Sequence, residues 1–186
     1  MTTPARGTRA LNPPAEDSPK ATCVRLLHLM VDGRLSDFEE VIHPAGTNRE
    51  SHNEPMAARG RGPAAFYAAA LYLRTAFSEM RFDIHEVVAD GDVVVIHNTL
   101  SGRHTGPFIT YDGAGLASQA MPPTGKAFAG TQTHWFRHAD GKIVEHWANR
   151  DDLTMAQQAG WIPPTPWYLA RMVLAKRHAR ALAAHS

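Results

Sequence analysis

A chain of 186 residues with 44% hydrophobic and 20% charged residues can form one domain with a sizeable core. Its formal net charge of +1 provides no field that would attract nucleic acid or an anionic membrane. The single cysteine, Cys23, excludes an intrachain disulfide. The N-terminus lacks the apolar segment of a secretory signal, and no apolar run approaches the ~18 residues of a membrane span, so we expect a soluble cytoplasmic protein.

Composition divides the chain into three segments. Residues 1–19 hold proline, threonine and charged residues but almost no bulky apolar side chains, so we expect a mobile N-terminal extension. Residues 20–160 carry the periodic patterns of helices and strands and form the expected domain. Residues 161–186 begin with a proline-rich break and continue as a C-terminal helical extension that is basic from about Trp167 to His185.

The first part of the domain is predicted to be helical. One helix starts at Ser18-Pro19, with serine as the N-cap and proline at the first helical position, and ends at Gly33. A second, short helix ends before Pro44. A third starts at Pro63. Its apolar stripe is formed by Phe66, Ala69, Ala70, Leu73 and Phe77.

Between the second and third helices, residues 44–63 form a polar segment. The plain interpretation is a solvated connector, because loops generally lie at the surface. The alternative is a lid or rim that brings His52 or Asn48 to the mouth of a pocket.

From Arg81 the hydrophobic period changes to two, which is typical of strands, and Asp90-Gly91 is suited to a hairpin turn. Residues 102–125 are rich in glycine and proline and predict a long connection that can pair only at sheet edges. Helices followed by about four antiparallel strands predict an α+β fold. The helices would pack on one face of a curved sheet and leave a mostly apolar pocket.

The most informative stretch, residues 131–152, is predicted to be a β-hairpin that turns at Asp140-Gly141. We take Ala139 to face Lys142. Uninterrupted pairing then places on one face Gln132, His134, Phe136, Ile143, Glu145, Trp147, Asn149 and Asp151. A one-residue bulge would invert this parity. The face combines aromatic bulk with an imidazole, an amide and carboxylates, so it is the expected pocket wall.

Acid–base chemistry is the function that this face best supports. Asp151 ends a strand beside Trp147, and burial against the indole would raise the pKa of its carboxyl group. Such a carboxylate can take a proton from an activated carbon and return one to oxygen. His134 could donate to a developing enolate oxygen, and Gln132 could hold a carbonyl. A buried Asp–His pair that only satisfies its own hydrogen bonds explains the same spacing equally well.

Other chemistries have less support. The GRGP segment at residues 60–63 lacks the spacing and the ending of a phosphate-binding loop, and no Gly-x-Ser-x-Gly elbow occurs. Eleven histidines raise the question of a metal site. The partners available to His134 on its own face, Gln132 and Glu145, are a poor set for zinc, so we expect neither a metal nor a cofactor.

Five sequence blocks carry a resemblance to a known family. They are GKIVEHWANRDDL, with an aspartate four residues after the tryptophan, QTHWFR, MVDGRLSDFEEVIHP, RGRGPAAF and SGRHTGPF. These blocks are similar to those of the SnoaL-like polyketide and ester cyclases, over about residues 21–160. The resemblance implies the α+β cone fold of the nuclear transport factor 2-like superfamily, in which a curved, mostly antiparallel sheet and N-terminal helices enclose a pocket.

The resemblance also implies a reaction. Members of the family close a polyketide ring by intramolecular aldol condensation without a cofactor, using one aspartate as acid and base. The matching position is Asp151, and the histidine and glutamine that contact substrate match His134 and Gln132. The further candidate substrate contacts are Trp147, His52, Asn48 and His104. The long loop at residues 108–123 and the C-terminal helix depart from the family pattern.

Three kinds of function remain open from the sequence. The first is a cofactor-independent cyclase acting on a polyketide-like β-carbonyl compound. The second is another acid–base reaction in the same pocket, such as isomerisation, dehydration or epoxide opening. The third is non-catalytic binding of a small molecule. If the protein is an enzyme, we expect Asp151 to be buried at the pocket floor. We also expect a homodimer, because the outer face of the curved sheet is predicted to be apolar.

Overall fold

The computed structural model describes residues 18–183, so the expected mobile extension lies outside the described residues except for Ser18 and Pro19. The α-helices of this part are Pro19–Asp32 (α1), Leu35–Val41 (α2), Gly62–Ala76 (α3), Asp152–Gln158 (α4) and Pro166–Ala183 (α5). Two short 3-10 helices lie at Arg49–Asn53 and Met56–Arg59. The strands are Ile42–Asn48 (β1), Phe77–Asp90 (β2), Val93–His104 (β3), Phe108–Tyr111 (β4), Ala117–Met121 (β5), Ala127–Ala139 (β6) and Lys142–Arg150 (β7). Within residues 18–183, no helix is both long and apolar enough to cross a membrane.

Helices α1 to α3 pack on one face of a five-stranded sheet whose strand order is β1-β7-β6-β3-β2. Strand β1 is parallel to β7, and the other neighbours are antiparallel. The core lies between these layers, where Leu27 of α1 and Phe66 of α3 join Ile96, Phe136 and Ile143 of the sheet in one buried cluster. The predicted α+β fold is confirmed.

Local sequence explains the start of the first helix. The Ser18 hydroxyl accepts a hydrogen bond from the Ala21 amide at 3.2 Å, and Pro19 occupies the first helical position, where its missing N–H costs nothing. Gly33 caps the other end, as predicted, and its amide donates to the Leu29 carbonyl.

The sequence did not predict strand β1, because residues 44–63 indicated either a solvated connector or a lid or rim. The strand contains Pro44 and Gly46, which are unfavourable in a central strand. It tolerates them because it is an edge strand that pairs with β7 only near its two ends, at Ile42 and at Thr47–Asn48. Strand β1 carries Asn48 into register with His146.

The β6–β7 hairpin forms as predicted but in a different register. Asp140 (φ 50°) and Gly141 (φ 76°) make the turn, and Ala139 faces Lys142. The register then shifts between Arg137 and His138. Beyond this irregularity Phe136 pairs with His146, His134 with Ala148 and Gln132 with Arg150. The predicted face is therefore wrong for Glu145, Trp147 and Asn149 of β7, since a one-residue shift moves every later side chain to the opposite face. Ile143, on the turn side of the irregularity, is buried as predicted.

The glycine-rich connection contains a small hairpin, β4–β5, that forms a sheet of its own. Helix α5 lies on this hairpin: the Tyr168 hydroxyl donates to the Pro122 carbonyl at 3.1 Å, and Arg180 Nε donates to the Ala117 carbonyl at 2.9 Å. Val173 of α5 is 53% exposed because the helix buries its opposite side.

Candidate active site

A cavity of about 570 Å³ lies between the sheet and the helices. Its apolar wall comes from α1, α3, the β4 segment and Trp161, and includes Phe66 of α3 and Phe77, the first residue of β2. Its polar wall comes from the inner faces of β6 and β7 and from residues 48–54. A cavity of this size, mostly apolar with a few polar groups on one side, is typical of a small-molecule site.

Four polar side chains of this wall form one hydrogen-bonded chain. Asn48 Oδ1 lies 2.9 Å from His146 Nδ1, His146 Nε2 lies 2.9 Å from His134 Nδ1, and His134 Nε2 lies 2.8 Å from the Gln132 side chain. The register of the strands brings these side chains together: Asn48 pairs with His146 across β1–β7, and His134 is diagonal to His146 across β6–β7.

The hydrogen bonds among these four side chains determine the tautomer of both histidines. Asn48 Oδ1 also accepts from the Glu50 amide at 3.1 Å, so this atom is an acceptor and His146 Nδ1 must carry the proton. His146 Nε2 then accepts from His134 Nδ1, which leaves His134 Nε2 as an acceptor. In the structure Gln132 Oε1 is the atom that lies 2.8 Å from His134 Nε2. Two acceptors cannot share a hydrogen bond, so with a neutral His134 the Gln132 amide must be turned to place its nitrogen toward the ring, and this nitrogen then donates to His134.

Both imidazoles are neutral at physiological pH. Burial lowers the pKa of His134 to about 3, and it lowers the pKa of His146 well below its ordinary value. The positive charge of Arg150 acts in the same direction on both rings. The pair can donate and accept hydrogen bonds, but it is a poor proton acceptor.

Three carboxylate side chains, Glu50, Glu54 and Asp152, line the same cavity. Glu50 accepts from the Ala148 amide at 3.1 Å and lies 3.5 Å from the Arg150 guanidinium. Asp152 lies 3.3 Å from the same guanidinium and is well exposed. These two carboxylates therefore have a cationic partner.

Glu54 is the exception among these three. Its Oε2 atom is shielded from solvent and has no hydrogen-bond partner within residues 18–183. Burial raises the pKa of Glu54 to about 7; the charge of Arg150 opposes this shift, that of Glu50 adds to it, and that of Arg59 opposes it.

The structure brings together four of the seven predicted site residues. Gln132, His134 and Asn48 belong to the hydrogen-bonded chain, and His52 lies at the exposed rim of the cavity. The lid or rim interpretation of residues 44–63 therefore describes their position better than a solvated connector does.

Trp147 does not line the cavity. It stacks on its cross-strand neighbour Trp135 with ring centroids 6.0 Å apart, and the Arg49 guanidinium lies 4.9 Å from its ring. Trp147 and Trp135 share the outer face of the sheet because of the register shift near the turn.

Asp151 is exposed and lies outside the cavity, so its predicted burial at the pocket floor is wrong. It is the N-cap of α4, where its Oδ1 accepts from the Thr154 amide at 3.0 Å. Hydrogen bonds from the side chain and the backbone of Thr154 lower the pKa of Asp151, whereas the sequence predicted a raised pKa.

His104 is fully buried behind the cavity rather than in its wall. Trp161 Nε1 donates to His104 Nδ1 at 3.1 Å, and the ring packs against Phe77. Burial lowers the pKa of His104 to about 4, so it is a neutral core residue that supports the aromatic wall.

His146 and Glu54 are site residues that the sequence did not predict. Uninterrupted alternation along the hairpin would place His146 on the outer face, and only the bulge reveals its position in the cavity wall. Glu54 stands in a polar segment without hydrophobic periodicity, so nothing in the sequence distinguished it from the neighbouring charges.

Comparisons with known proteins agree with the fold. The family model described as SnoaL-like polyketide cyclase matches residues 22–159. The chain is 35% identical over 153 residues to the aklanonic acid methyl ester cyclase DnrD of Streptomyces peucetius, covering 78% of this chain and 96% of that protein. It is 33% identical over 115 residues to the nogalonic acid methyl ester cyclase of Streptomyces nogalater, covering 61% of this chain and 76% of that protein.

Solved structures share the architecture. TsrD from Streptomyces laurentii superposes with a TM-score of 0.60 at 22% identity and covers 77% of this chain and 98% of its own. Wild-type IdmH from Streptomyces antibioticus gives a TM-score of 0.56 at 27% identity and covers 76% of this chain and 98% of its own.

Proposed function

Because the chain belongs to the SnoaL-like polyketide cyclase family, we propose that it closes a ring in a polyketide methyl ester of the aklanonic or nogalonic acid type. The reaction is an intramolecular aldol addition. Two relatives are named for such methyl esters, and DnrD is matched along almost its whole length. This substrate class is consistent with the mostly apolar cavity of about 570 Å³.

The hydrogen-bonded chain Asn48–His146–His134–Gln132 in the cavity wall is the observation that carries the proposal. An aldol addition converts a carbonyl compound into an enolate and then an alkoxide, so catalysis requires fixed donors where negative charge develops on oxygen. Gln132 uses one amide N–H for His134 and has a second for a substrate carbonyl. Asn48 uses its oxygen within the chain and offers its amide nitrogen as a further donor.

The chemical steps balance within one molecule of substrate. A base removes a proton from the carbon next to the ester carbonyl, and the electron pair moves onto the ester oxygen. The same carbon then bonds to a ketone carbon, whose oxygen becomes an alkoxide and takes a proton. The product is an isomer of the substrate. Positioning the two carbons in contact removes much of the entropic barrier, and a pre-shaped cavity provides that contact.

The direct test is incubation of the purified protein with aklanonic acid methyl ester and with nogalonic acid methyl ester. We expect a new product of unchanged mass by liquid chromatography and mass spectrometry. A product lighter by one water would indicate a dehydratase instead. Recovery of both esters unchanged would contradict the proposed substrate class.

We also propose that the enzyme is a cytoplasmic homodimer. Support for association comes from exposed apolar side chains on α5, where Trp167 is 74% and Leu174 63% exposed, and from the aromatic outer face of the sheet at Trp135 and Trp147. Light scattering after size-exclusion chromatography tests the dimer, and a monomer at micromolar concentration would contradict it. Cell fractionation tests the location, and recovery outside the cytoplasm would contradict it.

A further inference from the structure

The proposed cyclase requires a proton acceptor, and His134 is a poor one. Its neutral ring is already engaged at both nitrogens, by His146 and Gln132. Its cross-strand neighbour on β7 is Ala148, which brings no carboxylate beside the ring. The base must therefore come from another part of the wall.

The cavity carboxylates differ in what they contact. Glu50 and Asp152 flank Arg150 on either side, at 3.5 Å and 3.3 Å. The carboxylates of Glu50 and Asp152 are therefore already engaged by a cationic partner. Glu54 makes no such contact: no salt bridge to it within 4.0 Å is present among residues 18–183.

We propose that Glu54 carries the proton in ring closure, taking it from the carbon next to the ester and returning it to the new alkoxide oxygen. This inference rests on the proposed function and assigns the acid–base role within it. It is carried by the position of Glu54 in the cavity wall and by its shielded Oε2 atom, which lacks a partner in the described part of the chain. Unsatisfied buried polar atoms are uncommon, and a catalytic role is one recognised explanation.

Burial is the main cause of the raised pKa of Glu54, and three charged groups modify it. Glu50 precedes Glu54 on the same segment, Arg59 follows on the second 3-10 helix, and Arg150 approaches from β7. Tyr72 of α3 also faces Glu54, whose charge adds to the burial that raises the pKa of the Tyr72 hydroxyl. Arg59 Nε donates to the backbone carbonyl of Glu54 at 2.8 Å, which holds the segment in place without engaging its carboxyl group.

Burial, partly offset by the charges of Arg150 and Arg59, raises the pKa of Glu54 to about 7. A base of this strength is partly ionised at pH 7 and still holds its proton firmly enough to pass it on, which is the condition that favours general acid–base catalysis. The kcat/KM of the wild type should therefore rise with pH through an apparent pKa of about 7 and then level off.

The first experiment measures the carboxyl group itself in the free protein. Infrared difference spectra between pH 5 and pH 9 should show one protonated carboxyl band that disappears with a midpoint near 7, and Glu54→Gln should abolish it. A Glu54 band that has already disappeared by pH 5 would overturn the proposal, whether or not a substrate is known.

The second experiment measures turnover of the methyl esters by matched carboxylate-to-amide variants. Glu54→Gln should lower kcat by about 10²–10⁴-fold with little change in KM, because it keeps the shape and removes the base. Asp151→Asn, outside the cavity, is the control and should match the wild type. Glu54→Asp should retain part of the activity, since the carboxyl group remains but is withdrawn by one methylene. Wild-type turnover in a folded Glu54→Gln protein would overturn the proposal.

A third measurement separates the role of Glu54 from the identity of the substrate. A simple β-keto methyl ester that has no second ketone cannot cyclise, but its activated carbon can still exchange protons with solvent. If the wild type leaves both natural-type esters unchanged, the proposed function fails. Deuterium exchange into the β-keto ester that is faster with the wild type than with Glu54→Gln would still support Glu54 as the base, and equal rates would overturn that role.

Discussion

Replacing Glu54 by glutamine should make the protein more stable at alkaline pH while making it less active. A buried carboxyl group without a partner is satisfactory when protonated and unfavourable when charged. Glutamine has nearly the same shape and never ionises. The variant therefore removes the penalty for charging this site and leaves the rest of the fold unchanged.

The size of this change in stability follows from the pKa values of Glu54 in the unfolded and in the folded protein. Burial raises the pKa of Glu54 from its ordinary value of 4.5 to about 7 in the folded protein. Between these values the unfolded chain releases the proton and the folded chain keeps it, so wild-type stability falls as pH rises through this window. At about 1.4 kcal/mol for each pKa unit, the loss reaches about 3 kcal/mol above the folded pKa.

The assay is urea unfolding of the wild type and Glu54→Gln at several pH values from 4 to 9. The free energy of unfolding of the variant relative to the wild type should grow by about 3 kcal/mol between acidic and alkaline pH and then stay constant. All other titrating groups are common to both proteins and cancel. A variant that is less stable than the wild type at pH 8 would refute the reasoning, because that result would mean that Glu54 is held by a favourable ion pair, for example with Arg59.

Three further results are expected. Asp151→Asn should keep wild-type turnover because Asp151 lies outside the cavity, and a fall in turnover of about 10²-fold or more would mean that Asp151 takes part in the reaction. The unfolding free energy of this variant should be slightly lower than that of the wild type at neutral pH, because the pKa of Asp151 is lowered in the folded protein, and the difference should vanish in acid. His134→Ala should lower kcat by about 10²–10³-fold by removing part of the donor network, and a loss confined to KM would contradict this. Ending the chain after Pro166 should lower the melting temperature because it removes the buried Tyr168, and an unchanged value would mean that α5 is a passive extension.

Features that depend on neighbouring residues could be predicted from the sequence. The α1 start needs only Ser18 and Pro19, and the β6–β7 turn needs only Asp140 and Gly141, whose positive φ angles follow from the residue types. The family motifs predicted the fold and placed His134 in the pocket.

Features that depend on distant partners could not be predicted. The bulge beside Arg137 moves the following side chains of β7 to the opposite face of the sheet, and no residue type near it predicts a bulge. Asn48 meets His146 across 98 residues of sequence through an irregular edge strand. The proton affinity of Glu54 depends on burial and on the charges of Arg150, Glu50 and Arg59. These contacts between residues distant in sequence are the reason that Glu54, rather than Asp151, is the proposed proton carrier.

A crystal structure of the wild-type enzyme with its cyclised product tests the central claim most directly. If Glu54 carries the proton, one of its carboxyl oxygens should lie within about 2.6–3.2 Å of the hydroxyl formed from the ketone. The ester group should face Gln132 and Asn48 across the cavity. A product seated with that hydroxyl against Glu50 or Asp152, and with Glu54 turned away from it, would contradict the account.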